Sequence, residues 1–212
     1  MTSLIDLANA IIAGDHTRSG DLTRQLIAEG LPPKTILDDG LIAGMSVVGD
    51  RFREHEIFLP DVLLAARAMY AGMDLLKPLL IREGVPSIGR VVIGSVRGDL
   101  HDIGKNLVGI MLKGAGFDVI DLGHDVPPAT MVATAVEQEA TVIGMSALLT
   151  TTMPVMGEVV ELLRRERHDG RIRTIVGGAA VTDAFAREIG ADAYGFDAAN
   201  AVDVVKDLVS RR

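Results

Sequence analysis

The chain has 212 residues, enough for one generous domain or two small ones, each with its own core. Its hydrophobic content of 48% indicates a folded protein, and a net charge of −8 at pH 7 argues against general affinity for nucleic acid, which needs a basic face. Cysteine and tryptophan are both absent, which excludes disulfides, thiolate zinc sites, thiol nucleophiles and ordinary iron–sulfur clusters, and disfavours base-stacking platforms.

From Ser3 to about Glu83 the apolar residues recur at helical spacing, broken at 13–15, at 29–33 and around Phe58 to Pro60. This predicts four helices and no strand. The third runs from about Pro33 to Glu54 and the fourth starts near Pro60, each with a proline suited to a first helical turn. A small antiparallel bundle is the expected packing. The apolar stretch DVLLAARAMYAGMDLLKPLLI carries Asp61, Arg67, Asp74 and Lys77, so no membrane span is expected. The start, MTSLIDLANAIIAGD, has no basic leader and holds Asp6 inside its apolar run, which reads as a cytoplasmic protein rather than an exported one.

After REGVPSIG the pattern changes to short β-branched runs, RVVIGSV, FDVIDLG, ATVIGMSA, IRTIVGG and DAYGF. Helical segments are expected between and after them at 103–115, 127–139, 154–167, 182–189 and 198–210. Five β–α repeats with near-continuous apolar strands predict a parallel, doubly wound sheet covered on both faces. The expected fold class is therefore α/β: a helical bundle over 1–86, then a flavodoxin/Rossmann-like five-stranded domain over 87–212. The default strand order is 2-1-3-4-5, and the boundary is expected near Pro86.

In such a sheet ligands collect beyond the carboxyl ends of the strands where the order reverses, here between strands 1 and 3. Three unusual loops converge there: RGDLHDIG after strand 1, SALLTTTMP after strand 3 and VGGAA after strand 4. Asp99 and His101 are two residues apart, so an extended backbone points both to one side and Asp102 away. A carboxylate accepting from one imidazole nitrogen fixes the tautomer and leaves the other nitrogen as a donor to a metal. A satisfied surface histidine is the competing reading. Thiolates are absent and His124 is the only other histidine near a strand end, so zinc is disfavoured; a cofactor that brings its own metal needs only one protein donor. Neither usual phosphate cradle is present, which leaves Asp121 as a weak candidate for holding a ribose.

Asp99-Leu100-His101-Asp102-Ile103-Gly104 resembles the Asp-x-His-x-x-Gly signature of cobalamin-binding domains. Ser146-Ala147-Leu148 and Gly177-Gly178 resemble that family's Ser-x-Leu and Gly-Gly elements, and VVGDRFREHEIFLPDVL looks like the cap segment of methylcobalamin carriers. The chain is thus similar, over essentially its whole length, to corrinoid proteins of multicomponent methyltransferase systems and to the cobalamin module of methionine synthase.

The resemblance implies a helical cap over 1–86 and a cobalamin-binding domain over 87–212, joined by a hinge at 84–89. It implies cobalamin bound base-off/His-on, in methylcobalamin, Co(I) and Co(II) forms, with His101 as lower ligand to cobalt. Asp99 and Thr152 would form a relay behind that histidine, Thr152 standing where the relative has Ser. Asp102, Ile103 and Gly104 would adjoin the cofactor. Ser146, Leu148 and Thr150 would line one wall of a slot for the nucleotide tail, with Gly177 and Gly178 on the other. Phe58, Leu59 and Val62 would face the upper side of the corrin, with Leu63, Ala66 and Met69 as further candidates; ordinary bundle core is the competing reading for each. The implied activity is that of a carrier subunit, incomplete as a catalyst alone. It would accept a methyl group on Co(I) from a substrate-specific methyltransferase and pass it to a second methyltransferase acting on a pterin or thiol acceptor, with a reductive activase as a third partner. A cobalamin-dependent sensor or a mutase subunit would share the domain. A sensor normally adds a DNA-binding module and a bulky aromatic, and a helical cap would obstruct docking onto a mutase barrel.

Overall fold

The computed structural model describes residues 3–84 and 87–210. It divides into two compact units, Met1–Pro86 with Gly114–Gly116, and Ser87–Lys113 with Phe117–Arg212. The expected boundary residue, Pro86, lies outside the described residues, as does part of the expected hinge.

The first unit is helical: α1 (Leu4–Ile12), α2 (His16–Ala28), α3 (Pro33–Ile36), a π-helical turn (Leu37–Ile42), α4 (Ala43–Arg53) and α5 (Leu59–Arg82). Local chemistry sets the starts. Ser3 Oγ accepts from the Asp6 N–H at 3.1 Å while the Asp6 carboxylate accepts from Ser3, a reciprocal cap for α1. Asp15 caps α2 through the Arg18 N–H at 3.0 Å, and at α5 the Asp61 carboxylate accepts from the Phe58 N–H at 2.9 Å, with Pro60 in the first turn.

The single helix expected over 33–54 is interrupted. The core residues Ile36, Leu41, Met45 and Val48 are all buried, and the step from 36 to 41 is five residues. A regular α-helix would rotate Leu41 off the buried face; the wider π turn restores it. At Gly44 a Cβ would lie 2.7 Å from the Ile11 Cβ and 2.8 Å from the Ala8 carbonyl, so α1 and α4 meet at backbone distance.

In the second unit, β1 (Arg90–Ser95), β2 (Asp118–Asp121), β3 (Val142–Ser146), β4 (Arg173–Gly177) and β5 (Ala193–Gly195) form one parallel sheet in the order β2-β1-β3-β4-β5. They alternate with α6 (Ile103–Gly114), α7 (Pro128–Glu137), α8 (Pro154–Arg165), α9 (Asp183–Ile189) and α10 (Ala198–Ser210). One face of the sheet packs Val92, Ile143, Met145 and Val176 against Met131, Val132, Met156, Val159 and Leu163 of α7 and α8. α10 contacts β3, β4 and β5, and the backbone of α6 passes so close to β1 that a Cβ at Gly109 would be 2.7 Å from Ile93 Cδ1. Helices on both faces explain why the strands read as unbroken apolar runs. Ser95 pairs with Ser146 at the carboxyl ends of β1 and β3. Beyond that pair the order reverses and the two loops part.

Candidate functional site

The loop after β1 carries Asp99 and His101 into this opening. Two residues apart on extended backbone, they meet: His101 Nδ1 lies 2.8 Å from Asp99 Oδ1, which also accepts the His101 backbone N–H at 3.1 Å. The second carboxylate oxygen is held from the loop after β3. Asp99 Oδ2 accepts the Leu148 N–H at 2.7 Å, the Leu149 N–H at 3.2 Å and the Thr152 hydroxyl at 2.8 Å.

Asp99 is fully buried. Burial pushes its carboxyl up, but the bonds from the His101 side chain, the Leu148 and His101 N–H groups and the Thr152 hydroxyl outweigh it and hold the carboxyl well below the usual carboxylate range. The group stays ionised and can only accept. In neutral His101 the proton therefore sits on Nδ1, and Nε2 keeps its lone pair. The imidazole is 53% exposed, so that lone pair is accessible.

The surroundings of the histidine are apolar and open. Leu100, Leu148 and Leu149 are exposed aliphatic side chains on the two loops, and Ile103, the first residue of α6, is 74% exposed. A Cβ at Gly104 would meet no protein atom, so nothing in the chain's own packing calls for glycine there. Asp102 points its backbone carbonyl to the Asn106 N–H at 2.7 Å, opening α6. Thr150 is exposed on the β3 loop.

The glycines after β4 have a protein-internal cause. A Cβ at Gly177 would lie 2.8 Å from the Gly195 carbonyl of β5, and one at Gly178, with φ +123°, would lie 2.0 Å from the Ala147 carbonyl. Close backbone approach between neighbouring segments therefore requires glycine at both positions.

Of the remaining candidates, Phe58, Leu59 and Val62 belong to the helical unit. Phe58 is 66% exposed and Leu63 is also exposed, whereas Val62, Ala66 and Met69 are buried. Leu59 is partly buried. Asp121, the candidate for holding a ribose, is engaged within the protein: both oxygens lie 2.5 Å from Lys105 Nζ, and Oδ1 accepts the Gly123 N–H at 2.8 Å.

Sequence reasoning missed four residues that build the site. Ser95, fully buried on β1, donates its hydroxyl to the His101 carbonyl at 2.7 Å. Buried Lys105 ties the first turn of α6 to the end of β2. Asp125 accepts the Gly98 N–H at 2.7 Å and Leu149 contributes an N–H to Asp99. Lys105 and Asp125 directly follow Gly104 and His124 in the chain; their partners on other segments carry no signal in the sequence.

A model described as B12 binding domain matches residues 89–204, and a second of the same description matches 5–77. The chain is 39% identical over 214 residues to a corrinoid protein of Desulfitobacterium hafniense, covering 100% of this chain and 99% of that one. The chain belongs to the B12-binding corrinoid proteins. It is also 42% identical over 206 residues to a dimethylamine corrinoid protein of Methanosarcina acetivorans, covering 97% of this chain and 96% of the relative. Among solved structures it resembles a chain of the methanol:cobalamin methyltransferase complex of Methanosarcina barkeri, with TM-score 0.88 and 32% identity, over 99% of this chain and 80% of the other. The sensor reading finds no support in these relatives.

Cobalamin is the cofactor of this corrinoid protein. The residues present fit it: a single nitrogen donor of fixed tautomer, a rim of exposed aliphatic side chains and an unobstructed glycine edge. Among the described residues no group of three or more His, Cys, Asp or Glu is gathered as a metal cage, so the donor set suits a metal that arrives with its other ligands. Among the described residues no helix is long and apolar enough to cross a membrane.

Proposed function

We propose that this corrinoid protein is the methyl carrier of a multicomponent methyltransferase system, with His101 Nε2 as its donor to cobalt. The observation that carries the reading is the ionised, five-fold hydrogen-bonded Asp99, which forces the His101 tautomer and leaves Nε2 accessible. When bound, cobalamin supplies a cobalt centre able to take up and give back a methyl group. The chain's residues orient and tune that centre. His101 supplies the nitrogen, Asp99 holds its ring and balances positive charge there, and Thr152 fixes Asp99. Leu100, Ile103, Leu148 and Leu149 offer apolar contact that excludes water. Gly104 leaves room at the backbone, Asp102 anchors the helix start beside it, and Ser146 and Thr150 sit on the β3 side, opposite Gly177 and Gly178.

Residues 1–86 would serve as a cap, and the exposed Phe58 and its neighbour Leu59 would offer apolar surface to the cofactor. Val62, Ala66 and Met69 serve the bundle core instead. A substrate-specific methyltransferase loads the carrier, a second methyltransferase unloads it onto a pterin or thiol, and a reductive activase returns inactive cofactor to service. The methylamine and methanol systems named among the relatives define the class of donor to try first.

The test is transfer of isotope-labelled methyl from mono-, di- and trimethylamine and methanol to a thiol acceptor, using purified methyltransferases with and without the cobalamin-loaded chain. Transfer that requires the chain is expected with one donor class. Transfer independent of the chain, or selective retention of adenosylcobalamin with no transfer from any donor, overturns the carrier reading.

A further inference from the structure

Asp125 is an exposed residue in the turn between β2 and α7, and its backbone is left-handed, with φ +55°. Left-handed backbone is uncommon for a non-glycine residue, Asp being among those that adopt it, and it persists where surrounding bonds hold it. Here two bonds do so. The Asp125 carboxylate accepts the Gly98 N–H at 2.7 Å, and its own N–H donates to the Asp99 carbonyl at 3.0 Å. The next residue extends the grip: Val126 N–H donates to the Ser95 carbonyl at 3.0 Å, and Val126 bridges Val96.

The β1 loop is therefore held on two sides. The β3 loop binds the side chain of Asp99, and the 125–126 turn binds the backbone of residues 95–99. The second grip takes the N–H of Gly98, whose φ of +84° is a conformation that glycine adopts without steric cost. No core packing accounts for an exposed side chain on left-handed backbone at this place.

We propose that Asp125 is a positioning residue for His101: it fixes Gly98 and Asp99 so that the imidazole is presented in one orientation. This rests on the reading of His101 as the donor to cobalt. The role is carried by acceptor geometry, so Asp125→Asn, which keeps an oxygen acceptor and tolerates left-handed backbone, should behave as the parent. Asp125→Gly keeps the backbone freedom and loses the acceptor; Asp125→Ala loses both.

Protein containing ¹⁵N-histidine is loaded with cobalamin, reduced to the Co(II) state and examined by electron paramagnetic resonance. A lower ligand from labelled histidine splits the cobalt lines into doublets; benzimidazole nitrogen splits them into triplets. The parent and Asp125→Asn should show doublets throughout. Asp125→Gly and Asp125→Ala should show a mixture, with cobalamin affinity weakened about 10-fold, in the range lost when the support of a metal ligand is removed. Unfolding midpoints of the cofactor-free proteins confirm that Asp125→Gly is folded. Full doublet character with parental affinity in both the glycine and alanine variants overturns the proposal. Triplets in the parent, unchanged in His101→Ala, overturn the assignment of His101 itself, which separates the two failures.

Discussion

Thr152 Oγ1 lies 2.8 Å from Asp99 Oδ2 and 2.9 Å from the Leu149 carbonyl, and its single proton goes to the carboxylate. The Leu149 carbonyl already receives the Thr152 and Met153 N–H groups at 3.1 and 3.3 Å, whereas the buried carboxylate gains from every donor. The extra methyl of Thr, relative to Ser, does not displace the hydroxyl: Thr152 Cγ2 sits 3.4 Å from where a Gly98 Cβ would be. The threonine thus completes the chain from His101 through Asp99.

Thr152→Val keeps the shape and removes the donor, and is expected to cost about 1–2 kcal/mol of stability. Thr152→Ser should cost less, since the hydroxyl remains. Urea unfolding of the cofactor-free proteins checks both. Equal stability of the valine variant and the parent would show that the hydroxyl contributes nothing to Asp99.

Asp99→Asn should lose more, about 2–4 kcal/mol at pH 7, because an amide nitrogen faces donors that need an acceptor. It should also release the tautomer of His101 and slow methyl transfer. Parental turnover with bound cofactor removes Asp99 from the mechanism.

The pH dependence follows from the same carboxylate. Its folded pKa lies below the ordinary aspartate value of 3.8, so the folded state resists the proton that the unfolded chain accepts. The stabilisation is complete above that ordinary value and falls away as pH drops below it toward the folded pKa. The stability gap between parent and Asp99→Asn should therefore narrow from pH 7 to pH 3. Denaturant midpoints at a series of pH values measure it; a gap that widens on acidification contradicts the assignment of charge.

Gly178→Ala should be among the most damaging single substitutions in the sheet unit. A Cβ there would lie 2.0 Å from the Ala147 carbonyl, on a backbone at φ +123°, so both sterics and conformation oppose it. The expected loss is about 3 kcal/mol or more. A thermal scan within a few degrees of the parent would refute it.

The helical unit offers a substitution in the other direction. Thr23 on α2 is fully buried and its hydroxyl has no hydrogen-bond partner, beside a position on α5 where a Gly72 Cβ would come within 2.8 Å of it. Thr23→Val fills the same volume without the unsatisfied group, and should stabilise the protein by about 1 kcal/mol. A lower urea midpoint would mean that the hydroxyl finds a partner in solution.

The strands, their order and the five sheet helices were legible because each depends on local pattern: unbroken apolar runs for strands with two covered faces, and 3.6-residue spacing between them. The pairing of Asp99 with His101 was legible for the same reason, through two-residue alternation. The π turn was not, because helical periodicity over Pro33 to Glu54 survives a single widened turn; only the burial of both Ile36 and Leu41 exposes it. Ser95, Lys105 and Asp125 were missed because their value lies in partners elsewhere. Asp125 acts on Gly98, 27 positions away, and no local spacing encodes that bond.

The sequence by itself determined which groups are available at the switch point: one imidazole, one adjoining carboxylate, a hydroxyl and glycines on three loops of a parallel sheet. The tertiary structure decided the state of those groups. Asp99 is ionised, and His101 therefore protonated on Nδ1, because the fold buries the carboxylate and brings to it the Leu148 N–H from 49 positions on and the Thr152 hydroxyl from 53. Periodicity and turn chemistry are properties of neighbours along the chain, whereas desolvation and the convergence of donors arise only when distant segments meet.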